Sequence, residues 1–152
     1  MTEWMTVDAF VEKAFLGDTP ESKVLWITAD VRARLEDIID RSFPGLRVRY
    51  WAHDTRTAWV LEQIGKERPI TAGFVVDDGR VLFTEVLTYR ESRGGEIRYQ
   101  SFRDQFVGVS YNKKGLDKHI DGITGATLSV RSMKQMAEAA LHMARFVDHP
   151  EK

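Results

Sequence analysis

The sequence predicts an α+β domain, a twisted antiparallel sheet with helices packed on it. Three observations carry that prediction. Asp77-Asp78-Gly79 separates two apolar runs, 70–76 and 80–89, and Asp-Gly supplies the positive-φ positions that a tight hairpin needs. Residues 46–51 alternate in the strand period, Leu46, Val48 and Tyr50 against Arg47, Arg49 and Trp51. Residues 128–147 put Val130, Met133, Ala137, Ala140, Leu141, Ala144 and Val147 on one helical face, with Arg131, Lys134, Gln135, Glu138 and Arg145 opposite.

From the N-terminus, Met5, Val7, Phe10, Val11, Ala14 and Phe15 fall at helical spacing over 5–16, with Thr6 as N-cap and Gly17 as stop. After the Asp18-Thr19-Pro20 turn, 23–27 is a short apolar strand. Thr28 can cap a helix over 29–42 whose apolar side is Val31, Leu35, Ile38 and Ile39, ended by Pro44-Gly45. Residues 46–51, 57–64, 70–76 and 80–89 form the β-rich middle. Residues 92–96 are a loop. Residues 99–106 are a short helix or turn with Phe102 and Phe106 four apart, and 108–122 is polar loop with one short strand. The long helix over 128–147 closes the chain and is stopped by Pro150. The order α–β–α–ββββ–loop–α gives one domain over 1–152, with a helical N-terminal part (1–45) and the sheet, loop and last helix in 46–152.

Composition excludes several function classes. A chain of 152 residues suits one domain with a sizeable core. A formal net charge of −1 provides no electrostatic footprint for nucleic acid or an anionic membrane. The absence of cysteine removes disulfides, zinc–thiolate sites, iron–sulfur clusters and c-type haem attachment. No run approaches 18 apolar residues. The first fifteen residues carry Glu3, Asp8 and Glu12 without a basic stretch, so they are not expected to be a signal peptide; the protein is either cytosolic or made with a leader outside this sequence.

The chemistry concentrates in Asp121-Gly122-Ile123-Thr124-Gly125-Ala126-Thr127, directly before the last helix. Gly125 and Ala126 let a bulky group approach the backbone. The first turn of a helix offers unpaired N–H groups and a partial positive charge, a combination that favours phosphate. Thr124, Thr127 and Ser129 add hydroxyls, and Arg131 and Lys134 follow within two turns. On the residues alone, a Thr that merely caps the helix remains the alternative.

This stretch resembles the flavinylation motif of the FMN-binding domain family. That family includes the covalently flavinylated subunits of sodium-pumping NADH:quinone oxidoreductases and Rnf-type complexes, and single-domain extracytoplasmic flavin carriers. The resemblance covers residues 70–147. Within it, 70–87 is similar to the family's Gly-containing hairpin, and Ser101-Phe102-Arg103-Asp104-Gln105-Phe106-Val107-Gly108 to its Gln-Phe-x-Gly segment. It implies FMN joined through a phosphoester to Thr127, with Asp121 as the motif's acidic residue, Thr124 as its hydroxyl position, and Gly125 and Ala126 as its small residues. Ser129 stands where a further hydroxyl residue is usual. Val130 departs from the pattern, standing where many members have Ser, which removes one phosphate or loop hydrogen bond. The resemblance further implies an ApbE-type flavin transferase using FAD and Mg²⁺, redox partner proteins, electron transfer in place of organic catalysis, and an extracytoplasmic (periplasmic) setting.

For the flavin ring, the candidates are Leu128 and the loop after the second hairpin strand: Tyr89, Arg90, Glu91, Ser92 and Gly94-Gly95. Each has a plain alternative as solvated loop. Asp121 is also read as holding loop N–H groups with its carboxylate. His53, His119, His142 and His149 lack metal-ligand spacing, and His119 is a candidate phosphate contact. Trp26, Trp51, Trp59, Tyr50 and Phe43 are expected to pack the core or sheet. Two rival functions stand beside the covalent carrier: a domain holding FMN non-covalently, as in a small NAD(P)H-dependent flavin reductase, and a flavin-free module for a ligand or protein partner.

Overall fold

The computed structural model describes residues 1–148; Pro150, read as the helix stop, and His149 lie outside the described residues. One sheet organises the fold. Its strands are β1 (Thr2–Glu3), β2 (Ser22–Trp26), β3 (Arg47–His53), β4 (Arg56–Ile64), β5 (Pro69–Asp77) and β6 (Arg80–Tyr89). They lie in the order β1-β6-β5-β4-β3-β2, every neighbour antiparallel. The fold is α+β, as the sequence predicts. The β5–β6 turn has Asp78 at φ 51° and Gly79 at φ 78°, the left-handed pair that Asp-Gly accommodates. Strand β1 was not foreseen; two polar residues carry no alternation, and they join the sheet only by pairing with Thr88 and Tyr89.

Helix α1 (Val7–Ala14) is capped by the Thr6 hydroxyl, which accepts from Ala9 N–H at 3.1 Å. It packs Phe10, Val11 and Ala14 with Trp51, Ala58, Val75 and Leu87 on one sheet face. Helices α2 (Ala29–Ile39) and α4 (Thr127–Asp148) cover the other, against Trp59, Phe74 and Val76. Helix α2 stops short of the expected Ser42 because Asp40 turns left-handed, φ 57°, with its N–H on the Glu36 carbonyl. With both faces covered, every residue of β5 from Ile70 to Val76 is buried, so this strand is a continuous apolar run without alternation. Trp59, fully buried, stacks on Tyr50 at 4.7 Å and donates its indole N–H to Thr57 Oγ1 at 2.8 Å.

Between β6 and α4 the chain makes short helical turns, Gly95–Arg98, α3 (Gln100–Arg103) and Asp104–Phe106, then a small hairpin of β7 (Tyr111–Asn112) and β8 (Gly115–Leu116). Ile97, Phe102, Phe106, Val109 and Ile120 anchor this stretch in the core. Glu85 on β6 is buried and paired with Lys13 of α1 and with Arg103 at 3.0 Å, the kind of pairing that a buried carboxyl group requires.

His142 on α4 faces the hairpin. Its Nδ1 lies 3.3 Å from the Tyr111 hydroxyl, and its buried Nε2 has no hydrogen-bond partner among the described residues. Burial, with the Arg34 and Arg145 charges, pushes its pKa down to about 4. The unfolded chain then binds the proton first, near pH 6.5. Stability is complete above that pH and falls as pH drops toward 4. His142→Gln should flatten this part of the stability–pH curve, measured by urea unfolding at pH 7 and pH 5.

Candidate functional site

Thr127 is the first residue of α4. Gly125 adopts φ 83°, and Ala126 N–H bonds to the Ile123 carbonyl at 2.9 Å, so residues 123–126 form a tight turn with glycine at its third position. The Ala126 carbonyl then accepts from Val130 N–H at 3.0 Å, the first bond of the helix. The N-cap is therefore alanine, which has no side-chain acceptor. Among the described residues, none accepts a hydrogen bond from the N–H of Thr127, Leu128 or Ser129. The reading of Thr124 or Thr127 as a simple cap has no hydrogen bond to support it. Three donors at a helix start, next to an exposed threonine hydroxyl, suit a phosphate.

Three polar ties spaced at i, i+3 fix α4 to the sheet. The Ser129 hydroxyl lies 3.0 Å from the Tyr89 hydroxyl, Ser132 donates to the Ile64 carbonyl at 2.6 Å, and Gln135 accepts from Gln63 at 2.9 Å. Tyr89 also donates to the Arg93 carbonyl, and its ring stacks on Trp4 with centroids 5.6 Å apart. Burial pushes the Tyr89 phenol above its usual pKa, against the opposing pull of the Ser129 hydrogen bond. Gly94 closes over this pair at φ 87°, where an added Cβ would come 2.4 Å from the Tyr89 hydroxyl. Tyr89 and Ser129 are thus brought together, but as buried supports under the first turn.

Glu91, two residues on, accepts from Glu67 and Arg68 N–H, each at 2.6 Å, and these bonds hold its carboxyl below the usual range. In the structure it is tied to the β4–β5 turn. Ser129→Ala should therefore lower stability by about 1 kcal/mol while leaving any modification of Thr127 intact; urea unfolding and intact mass read the two effects separately.

Asp121 is held by its backbone. Gln105 accepts from its N–H at 2.7 Å and donates to its carbonyl at 3.3 Å. Its carboxylate was expected to bind loop N–H groups; it is exposed and lies 3.3 Å from His119 Nε2. Gln105 thus props up the motif loop, a contact the sequence does not disclose although the resemblance includes its segment. Thr124 is exposed beside Gly125, and Leu128 is a solvent-facing apolar side chain next to Thr127, 42% exposed.

Thr127 lines a cavity of about 650 Å³ between α4 and residues 114–122. Lys114, Lys118, His119, Arg131 and Lys134 line it too, against the carboxylates Asp117 and Glu138. Asp117 accepts from Ser110 N–H at 2.9 Å, Glu138 lies 3.4 Å from Arg34, and Arg131 lies 3.1 Å from Asp40. The three lysines have no ion-pair partner among the described residues, so the cavity is electropositive. The sequence signals His119, Arg131 and Lys134; the lysines of 114–118 reach the site through the β7–β8 hairpin.

The FMN-binding domain family matches residues 65–142, just over half of the chain. The chain belongs to that family. FMN is the cofactor of this FMN-binding domain, and the free N–H donors, cationic side chains and cavity around Thr127, within the 300–1,000 Å³ usual for small-molecule sites, fit the chemistry of a phosphate. No curated protein matches the chain. Among the described residues no helix is long and apolar enough to cross a membrane.

Proposed function

We propose that this FMN-binding domain carries FMN covalently on Thr127 and serves as a flavin-based electron carrier. The observation that supports this is the exposed Thr127 hydroxyl, at the head of a helix whose first three N–H groups lack acceptors and beside a lysine-rich cavity. An ApbE-type transferase would use FAD as donor. The Thr127 oxygen forms the new bond to the FMN phosphorus, the phosphoanhydride bond breaks, AMP leaves, and the hydroxyl proton is released; no electrons change hands. The N–H groups of residues 127–129 would hold the phosphate, with Lys134 and Arg131 adding charge. Bound FMN supplies a ring that accepts and donates one or two electrons. The protein's own part is to tether and orient the ring on a helix that the sheet holds still, for exchange with redox partner proteins in an extracytoplasmic setting.

The test is co-expression with the transferase, followed by acid precipitation and intact mass. Yellow colour retained in the pellet, with a mass increase of one FMN minus water, is the expected result. Flavin released to the supernatant would favour the non-covalent reading. No flavin in either fraction would favour a flavin-free module.

A further inference from the structure

The sheet parts in its middle. The β3–β4 ladder has only four residue pairs, from Tyr50↔Trp59 to His53↔Arg56, although both strands run on. Beyond Trp59, residues 60–64 keep their pairing with β5, and Arg47, Val48 and Arg49 keep theirs with β2. They have no pairing with each other. Two antiparallel strands that share a ladder and then diverge open a wedge lined by side chains of both sheet faces. Val7 and Trp51 line it from the α1 side, and Leu35, Met136 and Met143 from the α2/α4 side. The exposure pattern agrees: β4 lies inside the sheet, yet Val60, Leu61 and Ile64 are only half-buried. The wedge measures about 820 Å³.

Its outer wall is held in place. Arg32 donates to the Phe43 and Ile27 carbonyls, and the Glu36 carboxylate accepts from Phe43 N–H at 2.6 Å. Gln63, the polar side chain that faces inward, is fully used, donating to the Ile39 carbonyl and Gln135 and accepting from Ile64 N–H. Nothing inside asks for a polar ligand. The rim does. Arg41, Arg47 and Arg49 line the wedge, are exposed, and have no carboxylate partner among the described residues. Arg49 lies over the Trp51 ring at 4.7 Å. Glu62, the single acid in the lining, sits 3.9 Å from Arg90.

We propose that this wedge binds a free long-chain carboxylate. The hydrocarbon lies between the parted strands, and the carboxylate meets the three guanidiniums, whose planar donors match it in pairs. Volume and apolar walls suit a small-molecule site. No residue lines both this wedge and the cavity at Thr127, so the proposal is independent of the flavin reading.

Oleate titrated into flavin-free protein below its micellar range, followed by tryptophan fluorescence and calorimetry, tests it. Saturable one-site binding is expected. Arg47→Glu with Arg49→Glu, both at exposed side chains, should weaken binding at least tenfold without lowering the unfolding midpoint. Oleyl alcohol should likewise bind at least tenfold more weakly. Ala139→Phe, which fills the wedge from α4, should abolish binding if it folds; the arginine pair keeps the test decisive if it does not. Absence of saturable binding, equal affinity in the arginine variant, equal affinity for the alcohol, or association only with anionic vesicles would overturn the proposal.

Discussion

Thr127→Val, co-expressed with a flavin transferase and FAD, should emerge folded, colourless and at its unmodified mass. The loss is expected to be complete, because the substitution removes the only atom that would form the ester while keeping a β-branched side chain of similar size. Position 127 is exposed, and its side chain makes no hydrogen bond with the protein, so the fold has little reason to respond. Thr124→Val is the control. It removes a hydroxyl from the same turn, three residues earlier, and should leave the adduct in place. A Thr127→Val protein that still carried acid-stable flavin would move the attachment elsewhere and remove the basis for the carrier reading.

Gly73→Ala should destabilise the protein by about 1–3 kcal/mol, the usual range for overpacking. Gly73 lies mid-way along β5, and a Cβ there would come within 2.5 Å of the Phe10 ring. That ring cannot easily yield, being fully buried and packed edge-on against Phe83 at 6.2 Å. In an open strand alanine would gain about 0.5–1 kcal/mol over glycine, so a net loss reports the collision. The double variant with Phe10→Leu should recover part of it, a coupling of at least about 0.5 kcal/mol in a double-mutant cycle. Urea unfolding decides; a Gly73→Ala protein as stable as the parent would mean that α1 rides higher on the sheet.

These two sites differ in how far the sequence discloses them. The motif was legible because its signals are local: the small Gly125-Ala126 pair, a threonine on either side of it, and an amphipathic helix directly behind. The β5–β6 hairpin was legible for the same reason. Gly73 was not, since a strand glycine says nothing about which ring lies above it until α1 is laid on that face. Gln105 sits 16 residues from the backbone it holds, and no periodicity links the two. The lysines of 114–118 read as a solvated loop because their proximity to Thr127 arises only when the β7–β8 hairpin folds over α4. Tyr89 and Glu91 were placed near the flavin by a loop-level likeness; what no local signal disclosed is that Tyr89 is hydrogen-bonded to Arg93 and to Ser129 of α4, and Glu91 to the β4–β5 turn. The end of the β3–β4 ladder was also hidden, since β3 keeps its alternation and β4 stays apolar from Ala58 to Leu61, straight through the point where they part.

The two faces and two edges of β5 have a kinetic consequence. This strand is bonded along both sides and roofed above and below by helices, so water reaches its amides only when the whole domain opens. Fraying should begin at the two-residue β1 and at the outlying β2 and spread inward. The helix that presents Thr127 is packed on the last part to let go, and the tether point would keep its place through the partial openings that loosen the sheet's periphery.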